Sequence, residues 1–159
     1  MNFLKGTALL PTADELGPLT EDQNLAILEA LFVTVLADGK IEPSEVKTFT
    51  ASALSYPWNW GQGPEILREK LASVATRLKG VGRDNMQAHL SGLGQRLPSG
   101  SLRDKVFAGM FALMVADGKL DREEKAAALA IAGELEIPPS RAMELVQQVT
   151  AARAAVSKK

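Results

Sequence analysis

Apolar residues recur along the chain at the three- and four-residue spacing of amphipathic helices, and no stretch shows the sustained alternation of a β-strand. The clearest helix is predicted to begin at Thr20, which forms a capping box with Gln23, and to end at the Asp38-Gly39 turn. Because Ala and Val fill the faces between its leucines, we expect this helix to lie at the centre of the fold.

Further apolar stripes, bounded by Pro, Gly and acidic residues, extend the pattern over most of the chain. They predict about seven helices, beginning near residues 20, 43, 64, 84, 102, 121 and 140. Ser101 and Asp104 are predicted to form a second capping box. The apolar stripes of the last two helices are predicted to include Leu129 and Met143. The expected fold class is therefore all-α.

The turn at residues 98–100, Pro-Ser-Gly, is the best candidate for a linker between two halves of the chain. We therefore expect one compact helical domain over residues 20–156, with halves at about 20–97 and 101–156. Residues 1–19 are assigned to an N-terminal segment and residues 157–159 to a short basic tail.

One helix–turn–helix unit occurs twice in the sequence. Phe32–Glu45 reads Phe-Val-Thr-Val-Leu-Ala-Asp-Gly-Lys-Ile-Glu-Pro-Ser-Glu, and Phe111–Glu124 reads Phe-Ala-Leu-Met-Val-Ala-Asp-Gly-Lys-Leu-Asp-Arg-Glu-Glu. The offset is 79 residues, which is the difference between Asp117 and Asp38. Because the match spans a helix end, a turn and a helix start, it predicts two pseudo-symmetric repeats whose apolar helices pack face to face.

Each of the two turns has carboxylates at the same three positions within eight residues. Asp38 and Asp117 follow apolar helices at their C-terminal ends, where a negative charge is disfavoured by roughly 0.3–1 kcal/mol. Amides of the next helix start, neighbouring lysines or a bound cation would each offset that cost, so capping and metal binding both stay open. Carboxylates suit hard cations, with Ca²⁺ the first candidate and Mg²⁺ or Mn²⁺ the alternatives. The candidate metal ligands are Asp38, Glu42, Glu45, Asp117, Asp121 and Glu124.

The motif matches only the second half of an EF-hand calcium loop. If Asp38 takes loop position five, Glu45 falls at position twelve, where that loop carries its bidentate glutamate. Positions one and three then fall on Thr34 and Leu36, and the second copy has apolar residues at both places. The turns are therefore not ordinary EF-hands, and strong binding would require the two turns to converge.

The doubled Ala-Asp-Gly-x-[Ile/Leu]-x-x-x-Glu motif, with each copy ending a very apolar helix, resembles the TerB-like proteins of bacterial tellurite resistance. The resemblance covers roughly Gln23–Ser55 and Leu102–Ile137. It implies an all-helical fold, a cytoplasmic or inner-membrane-surface location, a role in stress responses or protein assembly, and a divalent-metal site on the six acidic residues. It does not establish tellurite chemistry, because the chain has no thiol with which to reduce an oxyanion.

The composition narrows the function classes further. The chain has 159 residues, no Cys, one His and a formal net charge of −1. These values exclude Cys nucleophiles and Cys-based metal sites, and they argue against a zinc hydrolase or a nucleic-acid partner. The single histidine, His89, is expected on a helix side or at the surface. The apolar run at residues 25–37 is shorter than the roughly 20 residues of a bilayer crossing.

These observations favour a cytoplasmic protein without stable membrane insertion, while peripheral association through the basic tail stays open. The leading hypothesis is a non-enzymatic, TerB-like stress-response protein that binds divalent cations through the paired acidic turns. The alternative is a metal-free protein–protein interaction or assembly module that uses a helical surface or the aromatic loop of Tyr56, Trp58 and Trp60. A metal-dependent hydrolase ranks third because it lacks a convincing nucleophile or general base. A protein partner is expected under either of the first two.

Overall fold

The fold is all-α, as predicted. The computed structural model describes residues 9, 11–36, 47, 49–50, 53, 64–79, 86–97, 100–115 and 122–157. Within these ranges the chain forms seven helices and no strand, and the isolated described residues 47, 49, 50 and 53 are helical as well. The helices are α1 (Ala13–Leu16), α2 (Glu21–Leu36), α3 (Pro64–Lys79), α4 (Met86–Arg96), α5 (Ser101–Met114), α6 (Arg122–Glu134) and α7 (Pro139–Ser157).

Two apolar helices form the centre of the fold. Helix α2 packs against α3, α4 and α5, and α5 packs in addition against α6 and α7. Both helices are buried on nearly every face described, and Phe32 and Phe111 at corresponding places in the two repeats are each at most 1% exposed. A helix that is apolar all round is stable only when neighbours cover it, so the central position predicted for α2 is confirmed.

Helices α6 and α7 are amphipathic and lie at the edge of the core. Leu129 and Met143 were predicted to belong to their apolar stripes, but they are 36% and 38% exposed. That prediction is wrong. Each of the two residues directly follows a buried residue in the sequence and is therefore rotated by about 100° around the helix axis, away from the buried face. The buried positions follow the i, i+3, i+4, i+7 rule: Ala128, Ile131, Ala132 and Leu135 along α6 and the turn after it, and Ala142, Leu145, Val146 and Val149 along α7.

The two predicted capping boxes have different outcomes. At the start of α2 the box forms. The backbone N–H of Gln23 donates to Thr20 Oγ1 at 3.2 Å, and the backbone N–H of Thr20 donates to Gln23 Oε1 at 3.0 Å. At the start of α5, the predicted box of Ser101 and Asp104 does not form. The N-cap is Gly100, with φ of 92° and no side-chain cap. Ser101 and Asp104 instead bind residues of α1 and α7.

A short helix that the sequence pattern does not predict precedes α2. Thr12 begins α1 through a reciprocal capping box with Glu15. Leu16 is completely buried, and Leu9 is 8% exposed in the same core cluster. The segment before residue 20 therefore contributes apolar side chains to the core. None of the described helices combines the length and apolar character needed to cross a bilayer.

Candidate functional site

The structure describes the side chain of none of the six candidate metal ligands. Five of them, Asp38, Glu42, Glu45, Asp117 and Asp121, fall in ranges that are not described, and Glu124 belongs to α6 without its side chain being described. The aromatic loop of Tyr56, Trp58 and Trp60 also falls outside the described residues. Among the residues that are described, no group of three or more His, Asp or Glu side chains is arranged to hold a metal ion.

The structure does describe the helices that lead into the two acidic turns. Helix α2 ends at Leu36, two residues before Asp38, and α5 ends at Met114, three residues before Asp117. These two helices pack directly against each other. Their relative direction therefore decides whether the two acidic segments leave the core at the same end or at opposite ends.

Contacts at the helix starts indicate the direction. The Ser101 hydroxyl donates to Glu15 Oε2 at 3.1 Å, and Lys105 Nζ lies 2.5 Å from Glu15 Oε1, so α5 begins beside α1. Arg96, five residues before α5, binds Asp22 in the first turn of α2. Both central helices thus begin at one end of the core. They are roughly 24 and 21 Å long at 1.5 Å per residue, and they pack against each other.

A buried carboxylate lies in the middle of α2. The Glu29 side chain is 1% exposed, and an isolated buried carboxylate would be strongly disfavoured. Two guanidinium groups from different helices compensate it. Arg77 of α3 binds Glu29 Oε1, and Arg96 Nη1 of α4 lies 2.5 Å from Oε2 as a close ion pair rather than an aligned hydrogen bond. We call Glu29, Arg77, Arg96 and Asp22 the Glu29 cluster.

Arg96 joins α4 to α2 at two places. Its guanidinium donates to both carboxylate oxygens of Asp22, from Nη2 at 2.9 Å and from Nε at 3.3 Å, besides its contact with Glu29. Asp22 and Glu29 are seven residues apart, so they lie on one face of α2 about two turns from each other. The Glu29 cluster therefore fixes the position of α4 along α2 as well as neutralising a buried charge.

His89 lies close enough to the Glu29 cluster for the charges of Arg77 and Arg96 to act on its imidazole. It lies on α4, half-buried, and its Nε2 atom is buried with no hydrogen-bond partner among the described residues. Burial is the largest influence that lowers the pKa of His89 below 6.5, and the positive charges of Arg77 and Arg96 lower it further. The imidazole is therefore neutral at pH 7. His89 lies on the side of a helix, as expected from the sequence, but the sequence did not predict Arg77 and Arg96 as its neighbours.

An arginine of α5 connects the two predicted halves of the chain. Arg103 of α5 donates to the Gly94 carbonyl at 2.6 Å, the Leu97 carbonyl at 2.7 Å and the Leu135 carbonyl at 2.9 Å. These carbonyls belong to the C-terminal ends of α4 and α6, where backbone acceptors lack partners within the helix and a positive charge is favourable. Sequence reasoning missed this residue because nothing local marks an arginine that caps other helices.

Comparison with protein-family models, curated proteins and solved structures finds no match to this chain. The TerB-like resemblance therefore rests on the doubled acidic motif alone.

Proposed function

We propose that this chain is a non-enzymatic, TerB-like stress-response protein that binds divalent cations, Ca²⁺ in the first place, through its two acidic turns. The observation that supports this most directly is that α2 and α5 pack against each other and begin at the same end of the core. The segments carrying Asp38 and Asp117 follow these helices by only a few residues. They are therefore expected to emerge at a common end.

Convergence of the turns matters because neither turn supplies a complete site. Three carboxylates from one turn fall short of the six to eight oxygen ligands that Ca²⁺ takes. Six carboxylates at one end of the core would repel one another when metal is absent, and a divalent cation would relieve that repulsion. In this proposal metal occupancy sets how the ends of the two halves meet, and so controls a partner-binding surface in the cytoplasm.

The alternative function is a metal-free interaction or assembly module. Its structural support is the exposure of Leu129 on α6 and Met143 on α7, two large apolar side chains on helices that pack together. Isolated exposed apolar residues are common on soluble proteins, so this support is weaker than the common starting end of α2 and α5 that favours the cation proposal.

The cation proposal is tested by titrating the full chain with Ca²⁺, Mg²⁺ and Mn²⁺, followed by calorimetry and amide NMR. The Asp38→Ala/Asp117→Ala variant is expected to lose binding. An Asp14→Ala/Glu65→Ala variant, which removes the same charge from two exposed positions in first helical turns, is the matched control and should bind as the parent does. Absence of any heat or shift at millimolar cation, or equal binding by both variants, would contradict the proposal.

A further inference from the structure

His89 and Arg96 occupy the same face of α4. They are seven residues apart, about two helical turns, as are Asp22 and Glu29 on α2. Arg96 at the end of α4 binds Asp22 at the start of α2, and the two helices pack against each other. His89, seven residues before Arg96, lies close enough to Arg77 for its charge to act on the imidazole, and Arg77 binds Glu29.

Among the described residues, the charged groups of the Glu29 cluster come from three helices. Helix α2 carries Asp22 and Glu29, α3 carries Arg77, and Arg96 lies on α4 itself. The electrostatic influence on His89 comes from the two guanidinium groups. Burial is the larger influence, and both guanidinium charges act with it to disfavour a proton on the imidazole.

Helix α6 also packs against α4, but around a different part of its surface. The Glu134 backbone carbonyl lies close to Gly94, which is five residues, or roughly 140° around α4, from His89. The charged side chains Arg122 and Lys125, near the start of α6, are exposed. No charged side chain on the described part of α6 is among the groups that shift the pKa of His89.

A proton on His89 would be poorly accommodated here. The imidazolium would be a third cation beside a cluster whose single buried carboxylate already binds two guanidinium groups. Its Nε2–H would also point into a buried position without an acceptor among the described residues. Moving α4 away from α2 would hydrate the imidazolium and separate it from Arg77.

We propose that His89 is an acid-sensitive latch, which keeps α4 packed on α2 while it is neutral and releases α4 when it is protonated. Release would expose apolar side chains of α4 that are now buried, Leu90 and Leu93 among them. It would also pull Gly94 and Leu97 away from Arg103, and so loosen the connection between the two halves. This device is independent of the cation proposal, because it involves none of the six acidic candidates.

The direction of the pH effect follows from linkage. Since the packed helix holds the pKa of His89 below its ordinary value near 6.5, the released state takes up the proton first as pH falls. The equilibrium constant for release should then rise by up to about tenfold per pH unit below roughly pH 6.5, until the packed state is protonated too. His89 is the single histidine and the chain has no Cys, so few other side chains titrate between pH 5 and 7.

The test is hydrogen exchange of the full chain between pH 5 and 7, followed by mass spectrometry and corrected for intrinsic exchange rates. We expect protection of α4 to fall by up to about tenfold per pH unit below pH 6.5 while that of α7 stays constant. His89→Gln should remove this pH dependence. Ala88→Gln, at the exposed neighbouring position, should retain it.

Three results would overturn the latch. The first is protection of α4 that does not depend on pH. The second is a pH dependence of α4 that persists in His89→Gln. The third is protection of α4 and α7 that falls with pH by the same factor per pH unit. If His89→Gln does not fold, the proton NMR titration of the single imidazole in the parent chain decides instead. A measured pKa at or above 6.5 would then contradict the proposal.

Discussion

The guanidinium of Arg103 lies 2.6 Å from the carbonyl oxygen of Gly94, although the two residues belong to different predicted halves of the chain. The same guanidinium reaches the Leu135 carbonyl on the turn after α6. One side chain of the central helix α5 thus caps the ends of two other helices. The halves are joined by a polar contact as well as by the apolar core.

Replacing Arg103 with Met should lower the free energy of unfolding by about 2–4 kcal/mol, because several carbonyls lose a charged donor. The side chain is only 13% exposed, so water would replace the lost hydrogen bonds incompletely. Chemical denaturation monitored by circular dichroism measures the change. Arg68→Met, at an exposed position on α3, is the control and should shift stability by less than about 0.5 kcal/mol. Equal effects of the two substitutions would show that Arg103 does not cap the helices.

Gly92 and Gly94 should respond in opposite directions to substitution by Ala. A Cβ at Gly94 would lie 2.7 Å from the Glu134 carbonyl oxygen, so α4 and α6 would have to separate. We expect Gly94→Ala to destabilise by about 1–3 kcal/mol. A Cβ at Gly92 meets nothing within 4 Å, and Gly92→Ala should stabilise by roughly 0.5–1 kcal/mol through helix propensity. Thermal melting of both variants checks the difference, and destabilisation by both would contradict it.

The periodicity of apolar residues was sufficient to predict the all-α fold because helix formation depends on local spacing. Pro64 and Pro139 begin α3 and α7 where proline suits the first turn, and the Thr20 cap forms as expected. Gly94 of α4 is explained by the close approach of α6, whereas Gly92 has no such contact. That approach involves residues distant in sequence, which no local pattern contains.

The polar contacts were harder to predict for the same reason. Glu29 interrupts an apolar run, which marks it as unusual, but its partners Arg77 and Arg96 come from other helices. Ser101 and Asp104 have the spacing of a capping box, yet each forms a tertiary contact instead. The metal site on the acidic turns stays a prediction, since its residues lie beyond the described parts of the chain.

The Glu29 cluster predicts unequal roles for its two arginines. The Arg77 side chain is 54% exposed and that of Arg96 is 28% exposed, and Arg96 also binds Asp22. Arg96→Met should therefore destabilise more than Arg77→Met, for which at most about 1 kcal/mol is expected. Glu29→Ala should cost about 1.5–3 kcal/mol, because Arg77 loses its carboxylate partner and Arg96 keeps only Asp22.

Urea denaturation at pH 7 measures the three values, and a double-mutant cycle between Glu29 and Arg96 gives their coupling. The outcome that contradicts the description of the cluster is a larger effect of Arg77→Met than of Arg96→Met. A coupling near zero would contradict it as well.

Glu15 should make the docking of α1 sensitive to acid. Burial is the largest single influence and raises the pKa of Glu15, but hydrogen bonds from Lys105, the Thr12 backbone and Ser101 together outweigh it, so the pKa lies below its ordinary value of 4.5. The unfolded chain therefore takes up the proton first. The stability contributed by the carboxylate is fully present above pH 4.5 and is lost as pH falls through the lower pKa of the folded state.

Glu15→Gln should accordingly destabilise the chain at pH 7 and have a progressively smaller effect below pH 4.5. Denaturation curves of the parent and the variant at a series of pH values measure the difference in unfolding free energy. Asp14→Asn, at the exposed neighbouring position, is the control and should give a smaller difference at pH 7. A difference for Glu15→Gln that stays constant from pH 7 down to pH 3 would mean that the charge of Glu15 does not hold α1 against α5.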